Sequence, residues 1–228
     1  MRNEDCVYHV LNRFAFSTFL FGEKEMAVFR KMLFKQARFC GVEVLGYCLI
    51  PNHFHLLVRV PEKTDLSDEV LIERYSEFYA DGVSSPFTPT PEEFEAVLLE
   101  GGAAARELRE QVLRRMFNLS AFVGELKQRF SIYYNKTHNN IGSIWSQRFK
   151  SVVVEDAPKL IALVAAYIDS NPVRAGLVGC PSEYVYCGFA EVERGNEAVL
   201  AGLRRKVPCF EEWSAGYKRL VLHAGEDA

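Results

Sequence analysis

The stretch Leu49-Ile50-Pro51-Asn52-His53-Phe54-His55-Leu56-Leu57-Val58 presents two histidines two residues apart, immediately after a turn signal. Alternate side chains of an extended strand share a face, so His53 and His55 belong to one side and Phe54, Leu56 and Val58 to the other. Two imidazoles on one rigid element can grip a single divalent cation. Much later in the chain, Tyr167 and Asn171 are four residues apart in a helical stretch and project together from its last turn. Two imidazoles and an amide oxygen can hold a divalent cation, and a tyrosine hydroxyl one helical turn away can attack a phosphate that the cation polarises. Each group also has an ordinary alternative. The histidines can be half-exposed polar positions of a strand, Tyr167 a tyrosine at the core edge, and Asn171 a helix-end residue that satisfies a carbonyl.

The elements that must position these groups are legible from periodicity. Residues 6–13 alternate and carry aromatic and β-branched side chains, which predicts a first strand. From Glu23 to Cys40, Met26, Phe29, Met32, Leu33 and Ala37 recur at helical spacing, and Gly41 is the stop signal. Val42 to Ile50 reads as a second strand, Pro51-Asn52 as a turn, and 53–60 as a third strand antiparallel to the second. Strand, helix, strand, strand is the first half of a ferredoxin-like, or split βαβ, arrangement. Residues 62–104 break the pattern and read as a surface-exposed, partly mobile insertion, with a short acidic helix before Tyr79 and a Pro/Ser/Thr stretch from Gly82 to Pro91. A long basic helical region follows from Ala105 to His138, with a break expected at Asn118-Leu119-Ser120. After a turn at 139–143, Ile144 to Lys150 mixes Trp145 and Phe149 with Arg148 and Lys150. That composition suits stacking on bases and pairing with phosphates, or equally two aromatics anchoring a loop on the core. Residues 151–155 read as a fourth strand, and a helix from Pro158 to Asn171 is predicted to bury Leu160, Ile161, Val164 and Ile168.

Composition bounds the rest. With 49% hydrophobic and 25% charged residues the chain reads as a globular protein. Its polar start, Met1-Arg2-Asn3-Glu4-Asp5, and the lack of any apolar run near the ~20 residues needed to span a bilayer predict a cytoplasmic protein without a membrane partner. The six cysteines are scattered and read as reduced thiols. The net charge of −3 conceals a segment, 61–100, that carries −9, and the remainder is +6. A phosphate-binding surface is compatible with that remainder.

Several motifs together resemble one family. They are Tyr8-His9-Val10 with Arg13, the run from Gly46 to Val58, Tyr134-Asn135 through Gly142, Trp145, Gln147-Arg148-Phe149-Lys150-Ser151, and Tyr167-Ile168-Asp169-Ser170-Asn171-Pro172-Val173-Arg174-Ala175-Gly176-Leu177-Val178. This set, over about 1–60 and 120–190, resembles the REP-associated tyrosine transposases, a group of single-tyrosine HUH transposases similar to the insertion-sequence 200/605 enzymes. The chain departs from the family pattern in having Phe14 directly after Arg13, where Gly is common.

The resemblance implies an α+β, ferredoxin-like antiparallel sheet flanked by helices in an HUH transposase-like domain over 1–190, with the acidic insertion at 62–104 and a C-terminal extension over 191–228. It implies His53 and His55 as metal ligands, Asn171 as a further polar ligand, Mg²⁺ or Mn²⁺ as the ion, and Tyr167 as a nucleophile that forms a 5′-phosphotyrosine link on single-stranded or hairpin DNA. Two imidazoles would also tolerate Zn²⁺. Candidate DNA contacts are Arg13, Arg129, Lys136, Trp145, Arg148, Lys150 and Arg174. The expected assembly is a monomer or a homodimer, with Tyr167 acting within one chain or across two. Within the extension, Glu191 to Lys206 reads as helical and Trp213 as a tail anchor. Two other functions remain open at this point: a domesticated binder of structured single-stranded DNA that no longer cuts, and a zinc phosphodiesterase built on the His-x-His pair.

Overall fold

The computed structural model of the chain describes residues 5–15, 21–82 and 87–207. Strand β1 (Cys6–Arg13) leads through helix α1 (Glu23–Cys40) to β2 (Glu43–Ile50) and β3 (His53–Val60). Three helices follow, α2 (Asp68–Tyr79), α3 (Pro91–Glu100) and α4 (Gly102–Leu113), then the long α5 (Leu119–His138) and β4 (Lys150–Val154). After β4 come α6 (Pro158–Asp169), the single turn α7 (Asn171–Arg174), α8 (Gly188–Glu193) and α9 (Glu197–Lys206). The strands form one antiparallel sheet in the order β2-β3-β1-β4. This is the ferredoxin-like order, in which the first strand lies between the third and the fourth.

Local chemistry explains the element ends. Gly41 stops α1 in the left-handed conformation, φ 66°, and returns its N–H to the carbonyls of Ala37 and Arg38. Asn118 caps α5 by accepting from the N–H of Ala121, which is why the basic region divides at that point. The expected single helix over 158–171 is instead two pieces. Pro172 has no N–H to give Ile168, so the amide of Asn171 donates to the carbonyls of Tyr167 and Ile168 at 2.8 and 3.1 Å and bridges the gap.

The sheet is covered on both faces. Val10, Phe54, Leu56 and Val58 point to a core completed by Phe29 and Leu33 of α1 and by Phe122, Leu126 and Phe130 of α5. Val7, Cys48 and Leu57 point the other way, to α6, α8 and α9. On α6 the buried positions are Ile161, Ala162, Ala165, Ala166 and Ile168, while Leu160 is exposed and Val164 half-buried. The helix is thus rotated relative to the predicted stripe. Its three alanines let its backbone approach the sheet closely, and a β-carbon at Gly46 would meet Ala165 at 4.0 Å. Gly188 is required for a similar reason: a β-carbon there would sit 3.2–3.3 Å from Asp169, Gly46 and Tyr47.

The segment 62–104, expected to be surface-exposed, contributes to the core. Leu71, Tyr75 and Phe78 of α2 and Phe94 and Leu98 of α3 join the α1/α5 core, with Tyr75 and Phe94 stacked at 3.9 Å. Its acidic residues pair with the chain's own cations: Asp81 with Lys35, Glu73 and Glu77 with Arg38, Asp65 and Asp68 with Arg109. Part of the basic character of the helices is thereby neutralised internally. Residues 83–86 of the Pro/Ser/Thr stretch, Cys209 and the expected anchor Trp213 lie outside the described residues. No helix among the described residues is long and apolar enough to cross a membrane.

Candidate active site

The antiparallel register places the chemistry in rows across the α6 face of the sheet. One row runs Ile50, His53, Arg13, and the next runs Cys48, His55, Leu11, Lys150. A third brings Leu57, His9 and Val152 side by side. His53 and His55 therefore share a face, as their spacing predicts, and a third histidine from β1 joins them. The His9 and His55 rings stack 5.1 Å apart, with His9 Nε2 2.9 Å from His55 Nδ1. The His53 ring stands edge-on to His55 at 5.0 Å, and its Nδ1 lies 2.6 Å from Asn52 Oδ1.

Tyr167, near the end of α6, completes the group from above. The residue is 41% exposed, and its ring stands edge-on to both His9 and His55, each at 6.1 Å between centroids. The guanidinium of Arg174, on α7, lies over the same ring at 5.0 Å. One chain alone thus brings the histidine pair and the tyrosine together. Asn171, one turn beyond Tyr167, is buried, and its amide nitrogen donates to the carbonyls of Tyr167 and Ile168, bonds in which Oδ1 takes no part.

Burial tunes the imidazoles toward the neutral form. Desolvation, helped by Arg13, lowers the pKa of His53 to about 4. His55 is 4% exposed, and desolvation, with further contributions from His53, His9, Arg13 and Arg174, lowers it to about 3. Burial lowers His9 as well. Neutral imidazoles can offer a ring lone pair to a divalent cation, so His53 and His55 fit one. Among the described residues no group of three or more His, Cys, Asp or Glu side chains could hold a metal ion. Donors from outside that set of side chains would have to complete any coordination by the two histidines.

The predicted DNA contacts divide into two groups. Arg13, at the end of β1, is exposed opposite His53; Lys150 is exposed in the His55 row; Arg174 covers Tyr167; and Arg148 is exposed just before β4. The ion pairs among the described residues involve none of these four cations. The second group is not beside the histidines. Arg129 and Lys136 belong to α5, which packs on the opposite face of the sheet, and Arg129 is half-buried with its guanidinium 4.1 Å from the Phe78 ring. Trp145 is packed among Phe14, Phe29, Phe54 and Phe130, and its Nε1 donates to Ser131 Oγ at 2.7 Å. Of its two sequence readings the loop anchor describes this placement. Lys127 secures the same segment by donating to Asn12 Oδ1 at 2.5 Å and to the carbonyl of Gln147 at 3.1 Å. Phe14 is buried against Phe21 and Trp145.

Two neighbours of the site were not singled out from sequence as site residues, His9 and Asn52. Alternation along β1 puts His9 on the face of Arg13, but only the register of β1 on β3 places it beside His55. No family model and no curated protein matches the chain. Among solved structures, one described as "Structure of the REP associates tyrosine transposase bound to a REP hairpin" aligns over 84% of this chain and 82% of its own, at 16% identity and a TM-score of 0.47.

Proposed function

We propose that the chain is a metal-dependent DNA strand transferase that cleaves and rejoins single-stranded, hairpin-forming DNA through a phosphotyrosine intermediate, with no membrane partner and in the cytoplasm. The observation that carries this reading is the exposed Tyr167 ring standing over His55 and His9 within one chain. The motif set read from the sequence supplies the substrate class. His53 and His55, with Asn171 Oδ1, would hold Mg²⁺ or Mn²⁺, and the bound ion would supply Lewis-acid polarisation of the phosphate.

The chain's own groups do the rest. Arg13, Lys150 and Arg174, in no ion pair among the described residues, place positive charge around the histidines and can draw a phosphodiester into reach of Tyr167. The Tyr167 Oη gives up its proton and attacks phosphorus, the bond from phosphorus to the 3′-oxygen breaks, and that oxygen takes up a proton. The products are a 5′-phosphotyrosine and a free 3′-hydroxyl. Attack of a 3′-hydroxyl on the tyrosyl phosphate reverses the exchange and joins strands, so no nucleotide cofactor is needed.

Incubation with a hairpin-forming oligonucleotide and Mn²⁺ tests the reading. The wild-type chain is expected to give a covalent protein–DNA adduct. Tyr167→Phe is expected to retain hairpin binding and lose cleavage by roughly 10³-fold or more. Cleavage by Tyr167→Phe at the wild-type rate would refute the assigned chemistry, and hairpin binding with no adduct from the wild type would favour a binding protein instead.

A further inference from the structure

We infer that His9 is a positioning residue for His55: its Nε2 accepts the Nδ1–H of His55, fixing the tautomer and ring orientation that leave the His55 Nε2 lone pair free for a metal ion. The inference rests on the metal reading given above and assigns a role to a residue outside the ligand set. The two side chains are held on one face by the ladder itself, because His9 pairs with Leu57 and Leu11 pairs with His55, so they are diagonal neighbours. The 2.9 Å separation of Nε2 and Nδ1 is a hydrogen bond, and the rings lie within 19° of parallel.

The distance admits either ring as donor, and the direction inferred is the one that matches the counterpart at His53. There the partner is Asn52 Oδ1, a carbonyl oxygen that can only accept, so His53 carries its proton on Nδ1. His9 gives His55 the same treatment from the neighbouring strand. The need is greater at His55, which is 4% exposed and has no ready access to water for an unpartnered N–H. Both imidazoles are thus set in the same tautomer by different devices: a turn amide next to His53 in sequence, and a strand histidine far from His55 in sequence. Metal-binding histidines characteristically donate the second ring N–H in this way, and losing the acceptor weakens metal binding by about 10–100-fold.

The test uses the full chain and Mn²⁺ alone. In the metal-free protein, long-range ¹⁵N–¹H spectra are expected to show His55 as the Nδ1–H tautomer. His9→Phe, which keeps a ring and removes the acceptor, should shift His55 toward the Nε2–H form and weaken Mn²⁺ binding by about 10–100-fold, with circular dichroism and thermal midpoint as folding controls. His9→Gln restores an acceptor oxygen and should recover most of the affinity. An Nε2–H tautomer at His55 in the wild type, or unchanged Mn²⁺ affinity in His9→Phe while His55→Ala loses it, overturns the positioning role alone. Mn²⁺ affinity that survives both His53→Ala and His55→Ala overturns the metal reading and the inference together.

Discussion

The two faces of the sheet are written by the same strands and have opposite characters. From β3, Phe54, Leu56 and Val58 enter a core sealed by α1 and α5, whereas His53 and His55 face α6. From β1, Val10 goes to the sealed face, and His9 and Arg13 to the other. The first face is mostly apolar, and its buried Asn12 is satisfied by Lys127 of α5. On the second, α6 lies against β2 and β3, and Lys150 and Val152 of the edge strand β4 remain exposed. Imidazoles can be half-desolvated there without being walled off from a substrate. Stability and chemistry are thus interleaved at a period of two residues, and a one-residue slip in register would exchange them.

The contrast is tested most severely by removing one residue from each face. Phe54→Ala, in the sealed core, should destabilise the fold by about 3–5 kcal/mol in denaturant titration, equally at pH 6.5 and 4.5. The next effect in size belongs to the open face and depends on pH. His55 is held at about 3 in the fold and His53 at about 4, against 6.5 in the unfolded chain. Between those values the unfolded state binds more protons, so the stability contributed by keeping the rings neutral is complete above about pH 6.5 and is lost as pH falls toward the folded pKa values. The drop in stability between pH 6.5 and 4.5 should therefore shrink by on the order of 2 kcal/mol in His55→Ala. A pH-dependent cost for Phe54→Ala, or an undiminished acid drop in His55→Ala, would erase the distinction between the faces.

Much of this division was legible in the sequence because it rests on local periodicity. Alternation around His53 and His55 placed both on one face, and helical spacing together with Gly41 bounded α1. What was not legible depends on non-local register and on small residues. His9 acquires its neighbour only when β1 pairs with β3 across more than forty positions of chain, and strand alternation says nothing of that offset. The buried face of α6 was misjudged because Ala162, Ala165 and Ala166 weigh little on a hydrophobic scale, although their size is what lets the helix sit close to the sheet. The basic helices look like a nucleic-acid surface in one dimension. In three, Arg109 is occupied by Asp65 and Asp68, and Arg38 by Glu73 and Glu77. Composition left Trp145 between base stacking and loop anchoring, and its packing, with the indole N–H satisfied by Ser131 and the Lys127 carbonyl inside the aromatic cluster, depends on contacts that composition does not show.

The smallest expected effect sharpens the comparison from the charge side. Lys150 stands on the open face in the row of His55 and takes part in none of the ion pairs among the described residues, whereas Arg109 is held by Asp65 and Asp68. Lys150→Ala should leave stability within about 0.5 kcal/mol of wild type. In hairpin binding it should lower the slope of log affinity against log salt by about one, the signature of one lost phosphate contact. Arg109→Ala should do the reverse, costing up to about 1 kcal/mol of stability and leaving the salt slope unchanged, because its charge is already neutralised within the fold. If the two variants changed the salt slope equally, the open face would hold no privileged position for DNA, and the cations around Tyr167 would be solvated charge like any other.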